Sequence, residues 1–375
     1  MKKIFVIYAT AGIGHKKASL AVKAALDELA PKDTKVSIFD SLDYTNAFFK
    51  WSYLQSYLLV VNKLPTFWGI GYHLSDNFYV NLIVSKIRRL NNWLNSKRLR
   101  EHLLAEQPDV IISTHFFASE VIANLKKKGD LKSRLVTVVT DYRLHSWWVA
   151  DPTDMYVVGS EEARGDLMQW KADPSRIKVL GIPVEPVFSR PLDKKAIRDK
   201  TGLKDGMPTI LVIGGGFGVG PIENIVKIID SMPQEVQVIT VCGHNDALVK
   251  RLESMKPVLN KDVKVFGFVN NVYEYMAVSD VLISKSGGIT TAESLAKELP
   301  MIVISPIIGQ ETRNSRLLTS RGAAVKIDSL SELKGVLEDL ASHPGKLKAM
   351  RESIAGIRKP MACYDIAKLA IEMCG

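Results

Sequence analysis

One pattern occurs twice in this chain of 375 residues and limits its fold more than any other feature. A short apolar run ends in a glycine turn and then enters a helical pattern. Ile4-Phe5-Val6-Ile7-Tyr8 leads into Ala11-Gly12-Ile13-Gly14-His15, and a helix is predicted over about residues 16–29. Near the midpoint, Thr209-Ile210-Leu211-Val212-Ile213 leads into Gly214-Gly215-Gly216-Phe217-Gly218-Val219-Gly220, with a helix predicted over 222–231. Each is the strand–loop–helix opening of an α/β unit. More buried-strand candidates follow at 36–39, 110–113, 136–140 and 155–159, then at 236–242, 263–266, 281–284 and 301–304. Continuous β-branched runs between helical patterns mean parallel strands covered on both faces. The expectation is two doubly wound α/β domains in series.

The predicted first domain is 1–185, and 186–206 is predicted to be a linker. The linker reading rests on Pro183, Pro186, Pro191 and the charged run 193–200. The second domain is predicted over 207–350. A last segment, 351–375, reads as helical, and the residues themselves assign it to neither domain.

Composition narrows the function classes. Apolar residues are 46% and charged residues 24%, which excludes disordered and collagen-like chains. Lys+Arg 50 against Asp+Glu 40 gives a net charge of +10, with a pI of about 9.3. That balance points to an anionic partner: nucleic acid, a phosphorylated substrate or an anionic membrane surface. Cys242, Cys363 and Cys374 are odd in number and lack C-x-x-C spacing. They argue against a disulfide framework or zinc ribbon and fit a reducing compartment. Met1-Lys2-Lys3 ahead of 4–7 imitates a signal peptide, but the glycines and His15-Lys16-Lys17 that follow favour a buried first strand. No run of 18 apolar residues exists to span a bilayer, and surface attachment stays open.

From 40 to about 102 the alternation stops. The segment holds Phe48, Phe49, Trp51, Tyr53, Tyr57, Phe67, Trp68, Tyr72, Phe78, Tyr79 and Trp93, then Lys86, Arg88, Arg89, Lys97, Arg98 and Arg100. Two readings stand for the aromatic-basic insertion 44–102. One is a helical subdomain with an aromatic core, and the other is an amphipathic face for the lipid interface. Nucleic-acid binding has no recognised module behind it.

Neither G-x-x-x-x-G-K-[ST] nor G-x-G-x-x-G occurs, which disfavours P-loop enzymes and the usual dinucleotide fold. Ser284-Lys285-Ser286-Gly287-Gly288-Ile289-Thr290-Thr291-Ala292-Glu293-Ser294 offers backbone N–H groups, hydroxyls and one lysine to a phosphate at a helix start. Glu293, a turn further in, suits ribose hydroxyls; a capped helix with a solvated Glu is the plain alternative. Gly309-Gln310-Glu311-Thr312-Arg313-Asn314 follows the strand at 301–304, where open α/β sheets bind ligands. His15, at a glycine turn and a helix start, is the leading general-base candidate, because that position keeps the ring neutral. Asp141, after the strand at 136–140, is a candidate partner that would orient the ring. His145, Trp148 and His115 lie close to strand ends and are not ranked by spacing. There is no H-E-x-x-H and no D-x-D pair to suggest a metal.

Taken in order, Ala11-Gly12-Ile13-Gly14-His15-Lys16-Lys17-Ala18, Thr140-Asp141-Tyr142 with His145 and Trp148, 284–293, and Gly309-Gln310-Glu311 with Asn314 resemble the monogalactosyldiacylglycerol synthase and processive diacylglycerol glucosyltransferase family. The likeness covers nearly the whole chain. It implies a GT-B fold, two Rossmann-like domains facing across a cleft, with a C-terminal helix that crosses back to the first domain. It also implies an inverting transfer of glucose or galactose from a UDP-sugar to diacylglycerol or a related lipid, with no metal or other cofactor. The implied partners are a UDP-sugar, a lipid acceptor and an anionic membrane surface, without nucleic acid. The implied location is cytoplasmic, peripheral on the inner face of the cell membrane.

By the same resemblance His15 and Asp141 are catalytic. Gly216, Phe268, Ser286, Gly287, Gly288, Ile289, Thr290, Glu293, Gln310, Glu311 and Asn314 hold the donor. Gly14, His145 and Trp148 lie at the acceptor. Ser286 and Ile308 stand where the family usually has proline, a change that bears on loop rigidity and sugar preference. The alternatives are a UDP-N-acetylglucosamine transferase or 2-epimerase of the same fold, or a non-catalytic nucleotide-sugar sensor.

Overall fold

The computed structural model describes residues 1–10, 12–53, 64–216, 218, 220–304, 307 and 309–375. Ala11, Tyr57, Phe217, Val219 and Ile308, singled out above, lie outside the described residues. Two compact units divide the chain. The first comprises Met1–Pro186, Ile307–Arg313 and Lys359–Gly375; the second comprises Val187–Pro306 and Asn314–Arg358.

The first unit carries a six-stranded parallel sheet in the order β2-β1-β3-β4-β5-β6. Its strands are β1 (Lys2–Tyr8), β2 (Thr34–Asp40), β3 (Val110–Ser113), β4 (Arg134–Val138), β5 (Met155–Val158) and β6 (Ile177–Val179). Period-two alternation sends Ile4 and Val6 to one face and Phe5 and Ile7 to the other. Ile4, Val6, Ile112 and Val136 pack with Ala21, Val22, Ala25 and Leu26 of the helix Ile13–Leu29 and with Cys363, Ile366, Ala367 and Ala370 of the helix Ala362–Met373. Phe5, Ile7, Ile111 and Leu135 pack with Leu99, Leu103, Phe117 and Val121.

The second unit repeats the plan, in the order β12-β11-β10-β7-β8-β9. Here the strands are β7 (Thr209–Ile213), β8 (Gln237–Val241), β9 (Asp262–Phe266), β10 (Val281–Ser284), β11 (Met301–Val303) and β12 (Ala324–Lys326). Ile210, Val212, Val238 and Ile283 are buried with Ile222, Ile225, Val226 and Ile229 of the helix Ile222–Asp230.

The structure differs from the sequence reading in places. The stretch 186–206 is not a plain linker. It contains the helix Lys194–Thr201, capped by Asp193 and stopped by Gly202, and belongs to the second unit. Arg198 fastens that helix to the carbonyls of Val278 and Met207. The helix Pro344–Ile357 straddles the predicted boundary at 350, and the chain joins the first unit only from Lys359. There Tyr364 donates to Glu28 at 2.8 Å. β6 and β12 were not predicted, because three-residue edge strands leave too little periodicity to read.

Candidate active site

In the first sheet the strand order reverses between β1 and β3, which opens a crevice beyond their carboxyl ends. His15 stands there, in the first turn of the helix Ile13–Leu29. Its Nδ1 lies 2.8 Å from the Thr114 carbonyl, at the end of β3, and 3.1 Å from Thr140 Oγ1. A carbonyl only accepts, so Nδ1 carries the hydrogen and Nε2 keeps a lone pair. Thr114 is itself fixed, since its hydroxyl donates to the His15 carbonyl and lies 2.9 Å from Ser19 Oγ. The His115 ring meets His15 edge-on at 4.5 Å. Desolvation, opposed by the Thr114 bond, pushes His15 down to about 4. The positive end of the helix acts in the same sense. The site therefore presents a neutral imidazole with one fixed tautomer.

His15 Nδ1 is engaged by Thr114 and Thr140, while buried Asp141 accepts from Gln310 Nε2 at 2.8 Å. Asp141 thus fastens a predicted sugar-site residue. His145 and Trp148 are both buried. His145 Nε2 donates to the Tyr72 carbonyl at 2.9 Å and its Nδ1 accepts from Trp147 N at 3.2 Å. Burial pushes His145 down to about 4 even though Asp76 opposes the shift. Both residues prop the loop after β4 from inside. Gly14 stays half-buried in the first turn beside His15.

In the second unit the order reverses between β7 and β10, and the loops after these strands are the two glycine loops. Ser284 Oγ donates to the Ile213 carbonyl at 3.0 Å and ties the strand ends together. Gly218 has φ 60°, and a Cβ there would lie 2.0 Å from the Cys242 carbonyl, so only glycine fits. The Gly216 carbonyl accepts from His244 N at 3.0 Å. The His244 ring stacks on Phe268 at 4.2 Å and 10°. Both rings are exposed, and they make a flat ledge suited to a nucleobase.

The helix Gly288–Ala296 starts just after β10. Its first intrahelical bond runs from Thr291 N to the Gly287 carbonyl, so helix geometry leaves the amides of Gly288, Ile289 and Thr290 without intrahelical acceptors. Gly287, Gly288 and Thr290 are partly exposed. That arrangement favours a phosphate. Ser286, Ile289 and Asn314 are buried. Asn314 Nδ2 instead donates to the Ser286 carbonyl at 3.0 Å and braces the loop. Glu293 is likewise buried. Glu311 Oε2 accepts from Ile307 N at 2.7 Å.

Thr114, Thr140 and His244 were not chosen as site residues from the sequence. Each follows a β-strand's carboxyl end, which is the signal that would have found them. Among the described residues, no group of three or more His, Cys, Asp or Glu side chains is placed to hold a metal ion.

The aromatic-basic insertion packs part of its aromatics inward and leaves an apolar face outward. Phe49 and Tyr53 face inward onto Phe117. The helix Phe78–Asn95, by contrast, is inverted. Its outward stripe is Ile83 (66% exposed), Ile87 (65%), Leu90 (60%) and Leu94 (67%), while Ser85 (9%) and Asn92 (4%) are buried. Arg88 also points inward, donating to Glu120 Oε2 at 3.0 Å, and Asn92 reaches the same oxygen at 3.3 Å. Lys86 and Arg89 flank the outward stripe and are exposed. Phe67, Ile70 and Leu74 of the helix Pro65–Ser75 and Phe78 and Tyr79 are exposed as well. A soluble helix places its apolar side on the core, so an inverted helix marks an interaction face. No helix among the described residues is long and apolar enough to cross a membrane.

Comparison with known proteins follows the two units. Residues 15–184 match the family described as monogalactosyldiacylglycerol (MGDG) synthase, and residues 209–368 match the glycosyltransferase family 28 C-terminal domain. The chain is 30% identical over 377 residues to the processive diacylglycerol beta-glucosyltransferase of Bacillus pumilus, covering 99% of this chain and 95% of that one. It is 28% identical over 378 residues to the Staphylococcus epidermidis protein of the same name, covering 98% and 93%. Among solved structures, Acinetobacter baumannii MurG superposes with a TM-score of 0.66 at 13% identity, over 99% of this chain and 100% of that chain. Staphylococcus aureus MnaA, solved with UDP, gives 0.64 at 15% identity over 98% and 95%.

Proposed function

The chain belongs to the family of monogalactosyldiacylglycerol synthases and processive diacylglycerol glucosyltransferases, and from that premise we propose that it is an inverting glycosyltransferase of GT-B fold, moving a hexose from a UDP-sugar to diacylglycerol or a related lipid. Glucose is the leading donor sugar, since the curated relatives carry that name. The observation that carries the reading beyond nucleotide-sugar chemistry is the inverted helix Phe78–Asn95 on the same unit as His15. A 2-epimerase acting on a water-soluble sugar has no use for such a face.

The lipid hydroxyl attacks the anomeric carbon as the bond from that carbon to the diphosphate oxygen breaks. The hydroxyl proton passes to His15 Nε2, and the departing UDP keeps the bonding electron pair. The Nδ1–H on the Thr114 carbonyl holds the imidazolium that forms. The open amides of Gly288, Ile289 and Thr290, with the helix dipole behind them, take up the charge of the leaving diphosphate. Phe268 with His244 takes the uracil, Glu293 the ribose, and Gln310 and Glu311 the sugar hydroxyls. In this scheme the helix end does the work of a metal ion, so turnover persists in EDTA. The apolar face with Lys86 and Arg89 docks on the anionic inner face of the cell membrane.

The test is to incubate the full chain with UDP-glucose, UDP-galactose or UDP-N-acetylglucosamine, with and without vesicles that contain diacylglycerol. Release of UDP that requires diacylglycerol supports the reading. Interconversion of a UDP-sugar without any acceptor would replace it with the epimerase reading, and tight binding without turnover would replace it with a sensor.

A further inference from the structure

The segment Ile307–Arg313 belongs to the first unit and carries Gln310 and Glu311. Besides the bond from Gln310 to Asp141, four contacts hold it. Arg313 Nη2 pairs with Asp76 Oδ2 at 2.6 Å, and Arg313 Nη1 donates to the Leu144 carbonyl at 2.9 Å. The guanidinium lies over the Tyr72 ring, 5.1 Å from its centroid. Gly309, at φ 95°, lies so close to the same ring that a Cβ would come within 2.6 Å of Tyr72 Cδ1. Asp76 is fixed in turn, since its Oδ1 accepts from Ser146 N at 2.8 Å.

Tyr72 and Asp76 lie on the helix Pro65–Ser75 and its C-cap. On the opposite side of that helix, at positions i, i+3 and i+7, Phe67, Ile70 and Leu74 are exposed. One short helix therefore carries exposed apolar residues outward and the Arg313 anchor inward. A planar guanidinium shared between a carboxylate, a carbonyl and a ring face has a definite geometry that a flexible ammonium does not reproduce.

We propose that Arg313 is a positioning residue that sets Gln310 and Glu311 for the donor sugar and links their placement to lipid contact on the helix Pro65–Ser75. The inference rests on the sugar-contact role given to Gln310 and Glu311 above. Asn314, the next residue, braces the Ser286 loop, so Arg313 is the last point at which the sugar-binding turn is held by the first unit.

The experiment measures equilibrium binding of UDP-glucose and of UDP to the full chain. The variants are wild type, Arg313→Gln, Arg313→Lys, Asp76→Asn and the double Asp76→Asn/Arg313→Gln, each with and without phosphatidylglycerol vesicles. Arg313→Gln and Asp76→Asn are expected to weaken UDP-glucose about tenfold and to leave UDP within about twofold. The double variant is expected to be no worse than either single one, with Arg313→Lys intermediate. Vesicles tighten UDP-glucose in wild type but not in Arg313→Gln. An unchanged ratio of UDP-glucose to UDP affinity in Arg313→Gln overturns the proposal, and so does equal weakening of both ligands. A wild-type ratio indifferent to vesicles overturns the lipid link. Binding is read without turnover, so failure to glycosylate diacylglycerol would sink the proposed activity and leave this ratio standing.

Discussion

At the scale of single residues, the chemistry depends on a histidine kept neutral and turned the right way. His15→Ala should lower kcat about 10²–10⁴-fold, the usual span for losing a general base, while KM for the UDP-sugar moves little. Equal loss in both constants would make His15 a binding residue. With His15 held at about 4, the acid limb of the pH–rate profile should fall below about pH 5, not near the ordinary histidine value of 6.5. The residue-level legibility of the chain follows from what a side chain shows before folding. His15 and the Gly287-Gly288 pair were singled out because residue type and the preceding strand both pointed to them, whereas Phe268 came only from the family resemblance. The Thr114 carbonyl is a backbone atom from a segment about a hundred residues away along the chain, and no side-chain pattern announces it. Asp141 was singled out because it follows a strand end, and His145 and Trp148 were site residues only by the family resemblance. Whether such residues face the crevice or the interior depends on loop packing, and here it turned all three inward.

At the scale of elements, the helix Phe78–Asn95 separates surface function from stability. The aromatic and basic content of the segment alone did not say which side is wet. Arg88 and Asn92 decide it, because Glu120 takes both from the neighbouring helix Phe116–Lys127. Replacing Ile83, Ile87 and Leu90 together by Glu should weaken binding to anionic vesicles more than about tenfold, since it removes buried area and adds repulsion at once. The melting temperature should hold, because these side chains are exposed in the protein. Loss of fold in that variant would mean the stripe is structural. Arg88→Ala has the opposite expectation. It strands a buried carboxylate and should cost about 3–5 kcal/mol of unfolding free energy by urea denaturation, with little effect per folded molecule on vesicle affinity.

At the scale of the whole molecule, the doubling of one sheet plan was the part most open to reading from sequence. Two glycine turns after β-branched runs named both halves. Desolvation of three histidines also gives the molecule a pH signature. His15 and His145 titrate at about 4 when folded, His115 is pushed well below its ordinary value, and all three return toward 6.5 when unfolded. Below 6.5 the unfolded chain therefore binds protons that the folded chain refuses, so their contribution is complete above that pH and drains as pH falls toward 4. Glu120, whose burial raises its carboxyl, opposes this with a single group. Unfolding free energy should thus drop by a few kcal/mol between about pH 7 and pH 5, at about 1.4 kcal/mol per unit for each histidine. A flat profile would show that these rings are not buried neutral. Membrane docking should also weaken with salt, as attraction between Lys86, Arg89 and anionic headgroups is screened within about 8 Å at physiological ionic strength.

The most direct measurement gives the full chain UDP-glucose and vesicles containing diacylglycerol and determines the anomeric configuration of the lipid product by NMR, with His15→Ala run beside it. The expected product is a β-glucoside of the lipid, formed by wild type and nearly absent with His15→Ala. An α-linked product, no glycolipid with any UDP-hexose, or undiminished synthesis by His15→Ala would contradict the account.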